Sequence, residues 1–169
     1  MQEMKIKILR IILIILLIAT FFIIFKFSNQ NGKQSGSLSM EVTKSVTKNI
    51  QQIQKLENSR KEKVLLKIEK IIRKMAHFSL YALVGFLLMS LMSTYKLSKE
   101  RKIAISLATG VLYAMSDELH QFFVSDRSAQ VTDVIIDSIG VATGIALVIL
   151  VLWIWEKIKV QKSTKLVEK

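Results

Sequence analysis

The chain has 169 residues, is 51% hydrophobic and 22% charged, and carries a formal net charge of +12 at pH 7. Its apolar residues are massed into four long runs, and a run of about twenty apolar residues is what a helix needs to cross a bilayer. These features indicate an integral membrane protein. The chain has no Cys, which excludes disulfides, thiol nucleophiles and Cys-based metal sites. Because Lys and Arg lie mostly between the apolar runs, we expect anionic membrane lipid as a partner and no nucleic acid.

The four apolar runs predict four transmembrane helices in a single domain of residues 1–169. The predicted spans are about 8–27, 75–95, 103–124 and 134–155. The first run resembles the core of a signal peptide, but no small-residue cleavage site follows it, so we interpret it as an uncleaved span. The predicted fold class is therefore all-α, a four-helix transmembrane bundle.

A polar segment, residues 28–74, separates the first two spans. Within about 40–72, apolar residues recur at steps of three and four, which predicts amphipathic helices with basic polar faces. We expect these helices to lie on the membrane surface or to cap the bundle. A loosely ordered basic loop is the alternative. The Gly and Ser cluster from Asn31 to Ser39 predicts a flexible turn.

The distribution of basic residues predicts the orientation in the cell membrane. The N-terminus, the segment between spans two and three and the C-terminus carry three, four and five Lys or Arg, whereas the segment between spans three and four carries only Arg127. The positive-inside rule therefore places both termini in the cytoplasm. The basic segment between spans one and two opposes this orientation. Its charge has another explanation, an outer-surface function with anionic partners.

Alternating spans bring the ends of spans one and three and the starts of spans two and four to the same membrane face. Most of the unusual polar residues lie at these four places: Ser28, Asn29, Gln30, Arg73, Lys74, His77, Asp117, Glu118, His120, Gln121, Asp126, Arg127, Ser128, Asp133 and Asp137. We therefore predict one polar layer at the outer end of the bundle.

Helical spacing predicts that these charges point into the bundle, because residues three or four apart share a face. On span four, Asp133 and Asp137 share the face of Gly140 and Gly144, a Gly-x-x-x-Gly packing surface. The equivalent stripes on spans three and two are Gly110, Tyr113, Asp117 and His120, and Arg73, His77, Tyr81 and Gly85.

Carboxylates within a span cost about 2.5 to 3.5 kcal/mol each and persist where they pair, line a wet cavity or take part in chemistry. One interpretation is an ion-pair network in which Arg73 and Arg127 neutralise Asp117, Asp133 or Asp137. The other is a ligand-binding or catalytic pocket. We favour the pocket, because an ion-pair network that only locks the helices together would need fewer polar groups and no His.

Two ligand chemistries fit the polar layer. Asp117 and His120 could both reach a divalent metal, with Asp133 and Asp137 supplying oxygens, but this spacing is weakly specific and we predict no metal or other cofactor. The layer also has a cationic rim, formed by Arg73, Lys74 and Arg127, which suits phosphate recognition, although basic residues at a headgroup interface are commonly only lipid anchors. The predicted ligand-binding residues are Arg73, Lys74, His77, Gln121, Arg127, Asp133 and Asp137.

Several motifs together resemble one known family. Phe-Ser-Asn-Gln at 27–30, Arg-Lys-Met-Ala-His-Phe at 73–78 and Asp-Glu-Leu-His-Gln-Phe-Phe-Val at 117–124 are followed by Arg127, Asp133, Asp137 and Gly140. This series, with Tyr81, resembles the motifs of the VanZ-like family of small bacterial membrane proteins. The resemblance covers about residues 27–148, and the long basic segment 31–70 is its main departure. It implies a role at the bacterial cell envelope, and the founding member is associated with resistance to the glycopeptide teicoplanin.

Two classes of function remain open at this point. The first is a non-enzymatic envelope protein that binds an anionic amphiphile, such as a lipid-linked wall precursor, through Arg73, Lys74 and Arg127, or that modulates glycopeptide susceptibility. The second is a membrane-embedded hydrolase or transferase acting on a lipid-linked phosphate or sugar. Its candidate acid and base residues are His77, Asp117, Glu118 and His120. The chain has no Ser nucleophile elbow and no phosphate-cradling Gly loop, which favours the first class.

Overall fold

The computed structural model describes residues 2–127 and 129–167, with side chains described as far as residue 161, so Ser128 of the predicted polar layer lies outside the described residues. The described part is all helical. Its elements in chain order are α1 (Gln2–Ser28), α2 (Gly32–Thr47), α3 (Gln51–Gln54), α4 (Asn58–Ser93), α5 (Lys99–Phe122) and α6 (Val131–Val167).

Three stretches of helix are long and apolar enough to cross a membrane: Gln2–Ser28, Asn58–Ser93 and Val131–Gln161. They correspond to the first, second and fourth predicted spans. Helix α5 has 24 residues, but polar residues occupy much of its buried face, among them Ser106, Asp117, Glu118 and Gln121. This polarity lowers the hydropathy of α5, and a fourth crossing stays a prediction.

Helices α4 and α6 pack with their backbones in contact. A Cβ atom at Gly144 would lie 1.9 Å from the carbonyl oxygen of Ala82, and one at Gly85 would lie 2.1 Å from that of Val141. Neither position has room for a side chain. The predicted Gly140 and Gly144 stripe is therefore part of the surface that brings α6 against α4.

The segment before the second span is more regular than the sequence predicts. The flexible turn expected from Asn31 to Ser39 is wrong, because α2 begins at Gly32. The Asn31 side chain accepts a hydrogen bond from the backbone N–H of Gln34 at 2.8 Å and caps this helix. The second expected amphipathic stretch, about 64–72, is the first part of α4 and continues into the span without a break.

Helix α2 packs on α4 through a stripe of small polar side chains. Thr43 and Thr47 are buried, and each hydroxyl donates to the carbonyl four residues earlier. The Ser39 hydroxyl donates to the Glu69 carboxylate of α4. The apolar stripe of α2 is therefore left exposed, with Val42 and Val46 on it, and its expected contact with the membrane surface stays a prediction.

Contacts at the two ends of the bundle fix the helix arrangement. At one end, the Arg10 guanidinium of α1 donates to the hydroxyl and carbonyl oxygens of Thr94, at 2.9 and 2.6 Å. At the other end, Arg127 donates to carbonyl oxygens of Phe27 and Gln30, at 2.9 and 3.0 Å. Between them lies an apolar core whose buried members include Ile24, Tyr81, Val84, Leu88, Ala114, Val141 and Ile145.

Candidate functional site

A polar cavity of about 310 Å³ opens where α4, α5, α6 and the loop 123–130 meet. We call it the polar cavity. Its lining residues are Lys70, Arg73, Lys74, His77, Glu118, Gln121, Asp126, Arg127, Gln130, Asp133, Ile136 and Asp137. The structure thus brings all seven predicted ligand-binding residues to one place. Sequence reasoning missed Lys70, although it lies one turn before Lys74 on the same helix face.

The cations of the cavity differ in how far they are neutralised. Lys74 Nζ of α4 lies 2.5 Å from Asp133 Oδ1 of α6, in a half-exposed ion pair. Arg73 Nη2 lies 3.5 Å from Glu69 Oε1, one turn earlier on its own helix. Lys70 is exposed and, in the described part of the chain, forms no ion pair. Positive charge is therefore available at the cavity mouth.

Arg127 ties three segments together at the cavity wall. In addition to its bonds to the end of α1, its Nη1 donates to Gln121 Oε1 of α5 at 2.7 Å. All its described acceptors are uncharged, and burial lowers the pKa of the guanidinium from its ordinary value, an effect that the nearby charge of Arg73 adds to. Because an Arg pKa starts above 12, Arg127 keeps its positive charge at neutral pH.

A group of one His and two Asp lies deeper, between α4, α5 and α6. His77 Nδ1 is 3.8 Å from Asp137 Oδ2, and His77, Asp117 and Asp137 each offer a ligand atom within 4.8 Å of the other two. Asp117 also accepts a hydrogen bond from Gln121 Nε2 at 3.2 Å. We call His77, Asp117 and Asp137 the buried triad.

The expected ion-pair network differs from the pairs that form. In the described residues, Arg73 pairs with Glu69 and Lys74 pairs with Asp133, while neither Asp117 nor Asp137 has a Lys or Arg in ion-pair contact. The reason is depth. The side chains of Arg73 and Lys74 are 34% and 40% exposed, whereas Asp117 and Asp137 are 5% and 1% exposed.

The two other candidate catalytic residues lie outside the buried triad. Glu118 lines the cavity, but its Oε1 accepts a hydrogen bond from the backbone N–H of Gln130 at 2.6 Å, so it holds the loop before α6. The His120 ring lies 5.0 Å from the Phe25 ring of α1. It is not among the cavity-lining residues, and its neighbour is the first helix.

An apolar groove of about 280 Å³ adjoins the polar cavity. It runs between the end of α1, α2 and α4, and we call it the apolar groove. Three residues, Arg73, His77 and Arg127, line both spaces. The groove's other lining residues are Phe27, Gln30, Ser35, Leu38, Ser39, Val42, Ile72, Ala76 and Leu80. The sequence feature that points to the apolar groove is the predicted apolar stripe within about 40–72, the first part of which lies on α2.

Close contact with the loop fixes the start of α2 beside the groove. The backbone N–H of Gly32 donates to the Ser125 carbonyl at 3.2 Å, and a Cβ at Gly32 would lie 1.9 Å from the Asp126 carbonyl oxygen. Asp126 itself has a positive φ of 61°. Any larger residue at position 32 would push α2 away from the loop.

Three long apolar helices indicate a membrane protein, and a buried polar site lies among its helices. A family model described as VanZ/LLP1 matches residues 13–153, most of the chain. The chain therefore belongs to the VanZ-like family, as its motifs led us to expect. No curated protein and no solved structure matches the chain.

Proposed function

We propose that this protein binds an anionic amphiphile of the bacterial cell envelope, with its phosphate-type headgroup in the polar cavity and its hydrocarbon chain in the apolar groove. A lipid-linked wall precursor has this chemistry. The single observation that carries the proposal is the junction of the two spaces at Arg73, His77 and Arg127. An amphiphile needs such a junction of polar and apolar surfaces.

The charges at the junction support an anionic headgroup. Arg73 is half-buried, and its ion-pair contact with Glu69 is 3.5 Å long. A bound phosphate would have to replace only that contact. The planar guanidinium of Arg73 can form paired hydrogen bonds with phosphate oxygens, and such charge-assisted bonds are the strong ones. Lys70, one turn earlier, adds a second cation at the mouth. Four carboxylates also line the cavity, which favours a headgroup that brings a hydroxyl or sugar to donate hydrogen bonds to them.

The proposed setting is the cell membrane, with four spans and both termini in the cytoplasm. In support of a fourth span, α5 lies along its neighbours: the Tyr113 hydroxyl donates to the Phe21 carbonyl of α1 at 2.8 Å, and Gly110 faces Val141 of α6. With this orientation the polar cavity opens toward the outer leaflet. Envelope precursors that have crossed the membrane are exposed there.

Native mass spectrometry of the purified protein can test the binding. A long-chain prenyl phosphate is offered beside the corresponding prenyl alcohol, so that only the headgroup differs. We expect retention of the phosphate and little retention of the alcohol. Loss of the Arg73 contact in Arg73→Gln should weaken binding of the phosphate by about ten- to a hundredfold, because hydrogen bonds to charged groups contribute about 1.5 to 3 kcal/mol.

Arg101→Gln is the matched control, because Arg101 is exposed on the first turn of α5, at the opposite end of the bundle. It should bind the phosphate like the unaltered chain. Equal retention of phosphate and alcohol, or equal losses in the two Arg variants, would contradict the proposal.

A membrane-embedded hydrolase or transferase is the second candidate, and the buried triad is the observation that favours it. A His and two carboxylates at the floor of a phosphate-sized cavity could act as acid and base groups. The same mass spectra decide between the classes. Conversion of a lipid-linked pyrophosphate or sugar substrate with repeated turnover indicates the enzyme, whereas stoichiometric retention without product indicates the binding protein.

A change in glycopeptide susceptibility is the cellular consequence that the family membership leads us to propose. A protein that sequesters or presents a wall precursor alters how much of it an external glycopeptide can reach. Expression of the unaltered chain should therefore shift teicoplanin susceptibility in a sensitive bacterium, and Arg73→Gln at equal abundance should shift it less. Unchanged teicoplanin susceptibility on expression of the unaltered chain would contradict this role.

A further inference from the structure

We propose that the buried triad of His77, Asp117 and Asp137 binds one divalent metal ion. The proposal shares His77 with the junction proposed for lipid binding, but it can be tested separately, because it rests on the two buried carboxylates and not on Arg73 and Arg127. It also replaces the metal ligands considered from spacing alone, in which His120 and Asp133 took part.

The three donors come from three helices that converge at one depth. His77 is on α4, Asp117 on α5 and Asp137 on α6, and their ligand atoms all lie within 4.8 Å of one another. Donors around one metal ion, each about 2.0 to 2.2 Å from it, lie about 3 to 3.5 Å apart. Small rotations of the side chains bring the triad to that spacing. The tight packing of α4 on α6 holds the donors opposite each other.

The electrostatics of the triad call for a cation. Asp117 and Asp137 are 5% and 1% exposed. Their nearest positive candidate is His77, at 3.8 Å from Asp137, and no Lys or Arg of the described residues is in ion-pair contact with either. Two buried carboxylates side by side are strongly unfavourable unless a cation or a shared proton neutralises them. A divalent ion neutralises both.

A buried carboxylate oxygen of the triad without a hydrogen-bond partner is a second observation, independent of the distances. Asp137 Oδ1 is buried and has no hydrogen-bond partner among the described residues. The Tyr81 hydroxyl, one turn beyond His77 on α4, also lacks a hydrogen-bond partner among the described residues, and Tyr81 is 0% exposed. Buried polar atoms are nearly always paired, so an unpaired carboxylate oxygen inside a set of metal donors points to a ligand that the chain does not supply.

The donor set selects the kind of metal. One imidazole nitrogen with two carboxylate oxygens suits Mn²⁺ or Zn²⁺ better than Ca²⁺, which prefers oxygen ligands alone. Three protein donors leave at least one coordination position free. His77 and Asp137 also line the polar cavity, so the free position faces the space where a water or a headgroup oxygen would lie.

Electron paramagnetic resonance with Mn²⁺ tests the site directly. The purified protein is stripped with EDTA and titrated with Mn²⁺ in the absence of added phosphate lipid. We expect one bound Mn²⁺ per chain, with a ¹⁴N coupling from a coordinated imidazole. The chain has two His, so His77→Gln should abolish the ¹⁴N coupling and the matched control His120→Gln should keep it.

Carboxylate variants provide the second arm of the experiment. Asp117→Asn and Asp137→Asn should each weaken Mn²⁺ binding by about a hundredfold or more, since even residues that only support metal ligands contribute ten- to a hundredfold. Glu156→Gln is the matched control, because Glu156 is an exposed carboxylate on the same helix and outside the polar cavity; it should bind Mn²⁺ like the unaltered chain. Gel filtration reports whether each variant is folded.

Three results would overturn the proposal. The first is no stoichiometric Mn²⁺ or Zn²⁺ in the folded, unaltered protein at millimolar metal. The second is bound Mn²⁺ without ¹⁴N coupling, and the third is equal Mn²⁺ affinity in Asp137→Asn and Glu156→Gln. The first two need no variant, so they decide even if a substituted chain fails to fold. Lipid retention measured in EDTA is a separate readout, so failure of the metal site and failure of the lipid site are distinguishable.

Discussion

His77 of α4 and Asp137 of α6 face one another at 3.8 Å, one turn from the place where Gly140 and Gly144 bring the two helices together. The same helix contact therefore serves the stability of the bundle and the geometry of the site. A change that separates the helices should disturb both.

Enlarging Gly144 to Ala should destabilise the bundle. The added Cβ would lie 1.9 Å from the backbone carbonyl oxygen of Ala82, which cannot move without its helix. Overpacking of this kind typically costs about 1 to 3 kcal/mol. Thermal unfolding in detergent should show a lowered midpoint. Gly36→Ala is the control, because the Cβ that Ala adds there meets no atom within 4 Å, and Gly36 lies in α2, where Ala should be neutral or slightly stabilising.

Shortening Arg127 to Lys should loosen the cavity wall even though the charge is kept. A Lys ammonium cannot reproduce the planar arrangement that donates to Gln121, Gln30 and Phe27 together. Loss of one or two of these bonds should cost about 1.5 to 3 kcal/mol each at most. Limited proteolysis between α5 and α6 should therefore become faster in Arg127→Lys, and Arg101→Lys should leave the rate unchanged. Equal rates in all three chains would contradict this role.

The Lys74–Asp133 ion pair should contribute little to stability. Its two side chains are 40% and 33% exposed, and exposed pairs typically contribute about 0.2 to 1 kcal/mol. A double-mutant cycle with Lys74→Met and Asp133→Asn measures the coupling energy. A coupling energy well above about 1 kcal/mol would instead favour the ion-pair network as the explanation of the polar layer.

The topology can be tested with single Cys residues, because the chain has none of its own. Ser125 and Lys99 are both exposed, at opposite ends of α5. With four spans and cytoplasmic termini, Ser125→Cys should react with an impermeant thiol reagent in intact cells, and Lys99→Cys only after the membrane is breached. Reaction of both from the same side would mean that α5 does not cross, and the reverse order would invert the orientation.

Much of the bundle could be predicted from the sequence, because long apolar runs and regularly spaced residues are typical of packed helices. Runs of apolar residues locate the long helices, and the four-residue spacing of Gly140 and Gly144 locates a helix contact. The alternation of spans is enough to bring Arg127, Asp133 and His77 to one end of the molecule. None of these inferences needs side-chain geometry.

The remainder depends on contacts between distant parts of the chain. The Gly and Ser residues after Asn31 have low helix propensity, and α2 becomes regular through the Asn31 cap and the packing of its Ser and Thr stripe on α4. Spacing also placed His120 with Asp117. In the structure the His120 ring instead faces Phe25 of α1. Spacing of three or four residues shows that two side chains lie near the same helix face, but not which neighbouring helix each one contacts.

Photo-cross-linking tests the central claim most directly, because it locates the hydrocarbon chain of a bound amphiphile. A prenyl phosphate with a diazirine on its chain should label Leu38, Val42 and Leu80 of the apolar groove, and excess unlabelled prenyl phosphate should prevent this labelling. Leu150 and Trp153, exposed on α6 away from the groove lining, should show only a weak signal that unlabelled phosphate does not change. Uniform labelling of the exposed apolar surface, with no competition at the groove, would contradict the account.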